Sequence, residues 1–557
     1  MEAEPNPAPE LLLTEEAWGI PSDLYSCVQA RGMYSPLQFV LRLRPDIHRA
    51  LNSVPEGVVT GLTTEQIFAF STYLHETIHW WQHVGTTSGL MLSLLYPAQA
   101  HIAHPDLIAT LPQIGPVKPL RIFNMSAELQ GNITPETKAR LNKILNNWHD
   151  IEFCRRLIIE PKSAPSVIDD PYFESVGHSY WIALANVLSL LISTIDPEHH
   201  LVADPRNWQD AARRLHARET ALGPEGKTLQ FPAVGAKQIF EGQARVSQIQ
   251  YLHHAGGQRH NWSDFKDLGM LEGVYVEAFD TFLRATTLSE PADPKSPTVG
   301  LFLLVCDLAL NPAEGLLVNP VDFESIVEIV DPGWRFIALC TEIRRNPSKY
   351  SSRVCGYTRE EYVELSDELS SARDFMPPSE IARHIREACG RSTELSKLVQ
   401  EDSTFEFGLP NLPVRVFSGR FLAFQLQKSE TPHFFCWPGI CMTPNGPDDL
   451  PPERALDLFE EHRALFLDKE DGDVYPRTFK NRSEVTVHNV FNTFYAWVST
   501  YELTRQWIVS PGDFEYGFSW LSSQYPVSER EAWASTKFRE VYGVAIEDFT
   551  VLASVEI

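Results

Sequence analysis

Positive charge is scarce in this chain. Of 557 residues only 47 are Lys or Arg, against 73 Asp or Glu, giving a formal net charge of −26. Such a chain is repelled by phosphate backbones and anionic membranes unless it carries a local basic patch, and no run of Lys or Arg supplies one. Neither nucleic acid nor membrane is therefore expected as a partner. The opening MEAEPNPAPELLLTEEAWG is acidic, the wrong sign for a secretory or mitochondrial leader. Long apolar runs are missing too. The longest uncharged stretch, Gly177 to Ile195, is near the length of a bilayer span, but His178, Ser179, Asn186, Ser189, Ser193 and Thr194 dilute it. It reads as a buried core helix. Cysteine pairs with metal or redox spacing are also absent. Of eight cysteines only Cys436 and Cys441 are close, and CWPGIC is not CxxC. Cys306 and Cys340 sit in apolar stretches, as small buried hydrophobes do. A reducing cytoplasm is the expected compartment.

There is no internal repeat and no low-complexity tract. The length exceeds that of one hydrophobic core, so two or three domains are expected. Residues 1–15 read as a loose arm, 16–290 as a first domain, 291–410 as a helical region and 411–557 as a mixed α/β C-terminal module. The stretch QFVLRLR (38–44) alternates like a strand and stops at Pro45. Thr63 and Gln66 can form a capping box for a helix that Gly85 ends. Further helices are expected near 135–158, 177–195, 207–221, 234–254 and 268–287. A Pro-rich linker spans 289–300. PVRVFSGRFLAFQLQ, after residue 411, alternates like a strand. The fold class is α+β, predominantly α-helical.

What stands out against this background is LHETIHWWQH, residues 74–83. Between residues 64 and 84 the only formal charges are Glu65 and Glu76. On a helical wheel Ile67, Phe70, Leu74, Ile78 and Trp81 form one apolar face, and Ala69, Tyr73, Trp80 and Val84 cover much of the rest. A helix apolar nearly all round is an interior helix. Burying Glu76 there without a partner costs several kcal/mol, about the price of an unpaired ion, or keeps the acid protonated. His75, Glu76 and His79 spell H-E-x-x-H. Residues i and i+4 share one helix face, so two imidazoles can bind one zinc ion at about 2.0–2.1 Å each. Glu76 points about 100° round from His75, beside the ion, where its carboxylate can take a proton from the attacking water. His83 lies about 12 Å along the helix from residue 75 and cannot join the same ion. A substrate-facing role or a polar helix tip are its two readings. The competing reading of the histidine pair is of core residues bonded to backbone carbonyls.

A second patch, AKQIFEGQARVSQIQYLHH, carries Glu241 and Ala244. HETIH together with EGQA resembles the gluzincin metallopeptidases, zincins in which a second helix supplies a Glu. The resemblance covers about 30 residues. It implies a zincin-like core with helical insertions, one Zn2+ ion, His75 and His79 as ligands, Glu241 as the third ligand, and Glu76 as catalytic base. Ala244 would let the two helices approach. The two patches stand 162 positions apart, from His79 to Glu241, farther than in compact members, so a helical insertion between them is implied. The competing reading of Glu241 is a surface acid paired with Arg245 at i, i+4. Glu277 and Glu174 are the reserve ligands. His178, Tyr180, Tyr251, His253 and His254 are candidates for a group that steadies the transition state, with Arg245 beside them. His253 and His254 have a second reading, as complements to a helix dipole. In zincins an edge strand near the metal helix pairs with the peptide, and by that analogy strand 38–44 would do so.

The function expected is a zinc-dependent peptidase with a protein or peptide substrate and a narrow or regulated intracellular target, as in a toxin or defence effector, with a regulatory partner protein to release it. The alternatives are a binding or regulatory protein that keeps a structural metal site, and a metal hydrolase acting on a non-peptide bond.

Overall fold

Thr63 starts the first long helix as the capping box requires: its Oγ1 accepts from the Gln66 amide at 3.2 Å, and its own N–H donates to Gln66 Oε1 at 2.9 Å. The computed structural model describes residues 31–54, 61–130, 133–217, 231–479, 482–522 and 524–553. The arm at 1–15 and the end of the helix expected over 207–221, residues 218–221, lie outside them. The main elements are β1 (Gly32–Ser35), β2 (Val40–Leu43), α1 (Pro45–Asn52), α2 (Thr64–Gly85), α3 (Thr87–Ile114), β3 (Val117–Lys118), α4 (Pro135–Ile159), α5 (Val176–Thr194), α6 (Ala236–Ala255), α7 (Val274–Thr286), α8 (Pro297–Ala309), α9 (Leu412–Glu430), β4 (Phe466–Asp468), β5 (Val474–Pro476), α10 (Glu484–Val509) and β6 (Thr550–Val551). Helix dominates and strand is minor.

The four-stranded sheet has the order β1-β2-β4-β5. β1 and β2 form an antiparallel hairpin with Tyr34 opposite Leu41. β2 runs parallel to β4 through Leu41 and Leu467. Asp468 fastens that junction, accepting from the Leu43 amide at 2.9 Å and bonding His48 Nε2 at 2.7 Å. β3 and β6 make a second, parallel pair. Strands near the start of the chain therefore pair with strands near its end, and the buried apolar residues form one continuous cluster.

Three expectations are corrected in their local structure. Strand 38–44 begins only at Val40, because Pro36 to Phe39 form the hairpin turn. Phe39 takes φ 56°, a left-handed backbone that costs a bulky residue about 1–3 kcal/mol. Full burial against Trp80 and Phe417, each with its ring centre 4.6 Å away, offsets that cost. The helix expected from 268 starts at Val274, because Gly269 (φ 72°) and Gly273 (φ 56°) turn the chain first. PVRVFSGRFLAFQLQ is helix α9, not strand. It is buried on nearly every side, so no polar stripe betrays its period. Even its charges are internal: Arg415 makes two bonds to Glu401 at 2.8 Å, and Arg420 pairs with Asp402.

α5 is the one described helix long and apolar enough to cross a bilayer. Here it packs on α3 and α4, with Ala183, Leu184, Val187 and Leu188 fully buried. The described cysteines are all free, Cys436 and Cys441 included.

Candidate metal centre

α2 and α6 lie side by side and are stitched by polar bonds. Gln82 donates to the Phe240 carbonyl and to Gln243 Oε1, both at 2.9 Å, and Gln248 donates to Ser71 Oγ at 3.1 Å. Numbers rise along α2 as they fall along α6, so the helices are antiparallel. Ala244 is fully buried.

This contact brings His75, His79 and Glu241 together. Their ligand-capable atoms all lie within 4.8 Å of one another. His75 Nε2 and His79 Nε2 are 3.2 Å apart, and Glu241 Oε2 is 3.4 Å from the first and 3.5 Å from the second. Glu241 is 2% exposed, and its Oε2 has no hydrogen-bond partner. The surface pair with Arg245 does not form. Arg245 donates to Gln248 Oε1 at 2.8 Å and stacks on the Tyr275 ring at 3.9 Å.

The donor set fits a divalent cation. His79 Nδ1 lies 2.8 Å from Gln82 Oε1, which can only accept, so Nδ1 carries a proton and Nε2 faces the cluster. A ligating histidine is commonly held this way by its other nitrogen. Two imidazole nitrogens and one carboxylate oxygen suit zinc.

Electrostatics without a cation give the same picture. Burial pushes His75 down to about 4, although Glu241 opposes it. Burial also works to lower His79, but the Glu241 charge, with Glu76 behind it, outweighs this and holds His79 at about 9. Burial works to raise Glu241, yet the His79 charge and the two imidazoles facing it hold it well below the usual carboxylate range. One imidazolium thus balances one carboxylate. Glu76 is pushed up to about 8 by burial and stays largely protonated.

Glu76 faces a small cavity of about 20 Å³, walled by the three clustered residues, His83, Phe240 and the β1 hairpin. That is room for one water molecule and no more. The β1 backbone lies on Glu76 itself: a Cβ on Gly32 would stand 2.7 Å from Glu76 Cγ and 2.9 Å from Oε1. His83 lines the same cavity between Tyr34 and Phe240, with ring centres 5.2 Å from each, and burial pushes it down to about 3.

Other residues expected at the site are elsewhere. His178 faces Asp150 at 3.4 Å and Glu174 at 3.7 Å, which occupies that reserve ligand. Glu277 is paired with Lys162 at 2.7 Å. The Tyr180 hydroxyl donates to Asp331 at 2.7 Å. Tyr251 lies about 15 Å along α6 from Glu241 and packs on Phe70. His253 bonds the His260 carbonyl at 2.7 Å. His254 is pushed down to about 4 by burial, so it brings no charge to the helix end. Strand 38–44 is also displaced from its expected role. β2 is flanked on both sides, and the edge strand over α2 is β1.

Three neighbours of the cluster were not legible in the motif. Gln82 follows His79 at i+3, a spacing that could have marked it as a supporting residue. Gly32 and Tyr275, the latter with its ring centre 6.1 Å from His75, had no sequence signal at all. Comparison with known proteins finds no matching family, no similar curated protein and no similar solved structure.

Proposed function

We propose that this chain is a zinc-dependent peptidase of the H-E-x-x-H type, acting on a narrow or regulated protein target. One observation carries the reading: two imidazoles and a carboxylate with an unpartnered buried oxygen converge from two helices, next to a second acid that faces a water-sized space. Zinc held by His75, His79 and Glu241 would supply a Lewis acid and a more acidic water. Glu76 would then accept the proton of the attacking water and return it to the leaving amine. Gln82 fixes the orientation of His79. Arg245 holds Tyr275 beside His75, where its phenol could meet developing negative charge. Among the described residues β1 is the outer strand of the sheet and lies over Glu76; its four residues are buried, so an extended peptide would add there only once that edge is uncovered.

The test is metal analysis of wild type beside His79→Ala, with terminal proteomics of cells expressing wild type or Glu76→Gln. One bound zinc lost in His79→Ala, and new protein termini lost in Glu76→Gln, are expected. Equal metal in both proteins, or the same termini with and without Glu76, would end the reading.

The small size of the cavity favours one alternative, a structural metal site in a binding or regulatory protein. It predicts zinc bound in both wild type and Glu76→Gln, with no difference in termini. A non-peptide hydrolase predicts no new termini but a small-molecule product that Glu76→Gln fails to make.

A further inference from the structure

A second cavity, of about 140 Å³, lies between α8, α9 and the helices Arg359–Ser371 and Pro378–Arg391. Its lining reverses the charge balance of the chain. Three cations, Arg359, Arg386 and Lys428, face two acids, Asp307 and Asp367, in a protein with a net charge of −26. The acids are the better satisfied party. Asp307 accepts from Tyr362 at 2.7 Å and from Lys428, with Asn311 at 3.4 Å. Asp367 accepts from Ser379 at 3.0 Å.

The cations keep capacity in hand. Lys428 is 7% exposed, and Asp307 is its one side-chain partner among the described residues. An ammonium has three donors, so two remain for an occupant. Arg386 spends one bond on Ser429 at 3.0 Å, and the Arg359 side chain one on the Glu430 carbonyl at 3.1 Å. Between these heads the wall is apolar, with Val363, Ile381 and Ala382.

We propose that this cavity binds a small organic monocarboxylate, with its carboxylate on Lys428 and the rim arginines and its short apolar body on Val363, Ile381 and Ala382. The size follows from the volume, since a cavity of roughly 150 Å³ takes a molecule as large as benzene. The single charge follows from the lining, three positive against two negative. A buried ammonium with spare donors, flanked by two exposed guanidiniums, favours a carboxylate over a neutral group. The site is independent of the metal reading and needs no metal.

The test titrates the full chain, at constant ionic strength and with a chelator present, with butyrate, benzoate, butylamine and inorganic phosphate. Saturable one-site binding of butyrate and benzoate is expected, with no binding of butylamine and at least tenfold weaker binding of phosphate. Arg386→Gln, at an exposed position, should weaken butyrate at least threefold without changing the melting temperature. Ala382→Leu, which fills the apolar end, should abolish it. Should Ala382→Leu fail to fold, Arg386→Gln decides. No saturable binding of either carboxylate, butylamine binding as well as butyrate, phosphate binding more tightly, or unchanged affinity in Arg386→Gln would each overturn the proposal.

Discussion

Two of the regions that bury acids in this protein treat them differently. At the seat of α9, Glu401 and Asp402 are buried with a guanidinium each, Arg415 and Arg420, in two-point contact. Each of these two acids has its counter-charge in the chain. At the α2–α6 contact Glu241 is as deeply buried, but it faces two imidazoles that carry a single positive charge between them, and its Oε2 has no hydrogen bond. Buried polar groups without partners are costly. A self-sufficient pair and an unfinished cluster, a few helices apart in one core, separate stability from chemistry. Both places hold charges of both signs; what differs is that the guanidinium pairs are bonded at two points, whereas the Glu241 oxygen is left unbonded among ligand-capable atoms, which is where we propose a cation.

The largest effect should come from Glu76. Glu76→Gln removes the proton acceptor with almost no change of shape and should lower turnover by about 10²–10⁴-fold, with zinc content and melting unchanged. Kinetics and metal analysis on the same preparation check this. Retained turnover would remove Glu76 from the chemistry and leave the cluster as a structural site.

The comparison itself can be broken next. Arg415→Met strands Glu401 and should cost about 3 kcal/mol of stability, with or without zinc. Glu241→Gln should lower the stability of the metal-free protein by removing the counter-charge of His79, and should also abolish the zinc-dependent part of stability, about 2.7 kcal/mol when zinc is a hundredfold above its dissociation constant. Urea unfolding of both variants with and without chelator reads this out. If chelator affects wild type and Glu241→Gln alike, the two regions are not different in kind.

How much of this was legible beforehand follows from the same distinction. The motif residues were readable because helix geometry fixes local spacing: His75 and His79 share a face at i, i+4 with Glu76 between them, and Gln66 stands three residues past Thr63 to complete the cap. Glu241 was readable only through the resemblance of EGQA, since 162 positions separate it from His79 and nothing local joins them. α9 was misread because a helix buried all round loses its polar stripe, and its internal Arg–acid pairs mimic strand alternation. α3 was passed over because Pro97, Pro105 and Pro112 lie inside it, yet packing of residues 87–99 in the core carries the helix through. Gly32 and Tyr275 reach the site by tertiary contact alone, which no spacing in the sequence reports.

Proton traffic gives a smaller and sharper test. His79 is held at about 9 by Glu241 and Glu76 against the pull of burial, so below that pH it is protonated in the metal-free protein. Zinc must displace that proton. Affinity should therefore rise with pH from 6 to 9, by up to about tenfold or 1.4 kcal/mol per unit, and level off above. Calorimetry in buffers of different ionisation enthalpy should find about one proton released per zinc near neutral pH. Flat affinity across this range would mean that His79 is not a ligand.

The smallest change asks whether β1 stays over the site during turnover. In the closed form an alanine Cβ at position 32 would stand 2.7 Å from Glu76 Cγ, inside contact distance. Cγ belongs to the middle of the side chain, so relief requires the whole carboxylate arm or the strand to move. Gly32→Ala should then cost about 1 kcal/mol of stability and lower turnover several-fold, with zinc content unchanged, if β1 and Glu76 are in contact during the reaction. The two readouts need not move together. A stability loss with full turnover would mean that β1 lifts away before chemistry, and that the small cavity belongs to a resting form. Loss of both would mean that β1 remains in place over Glu76 throughout the reaction.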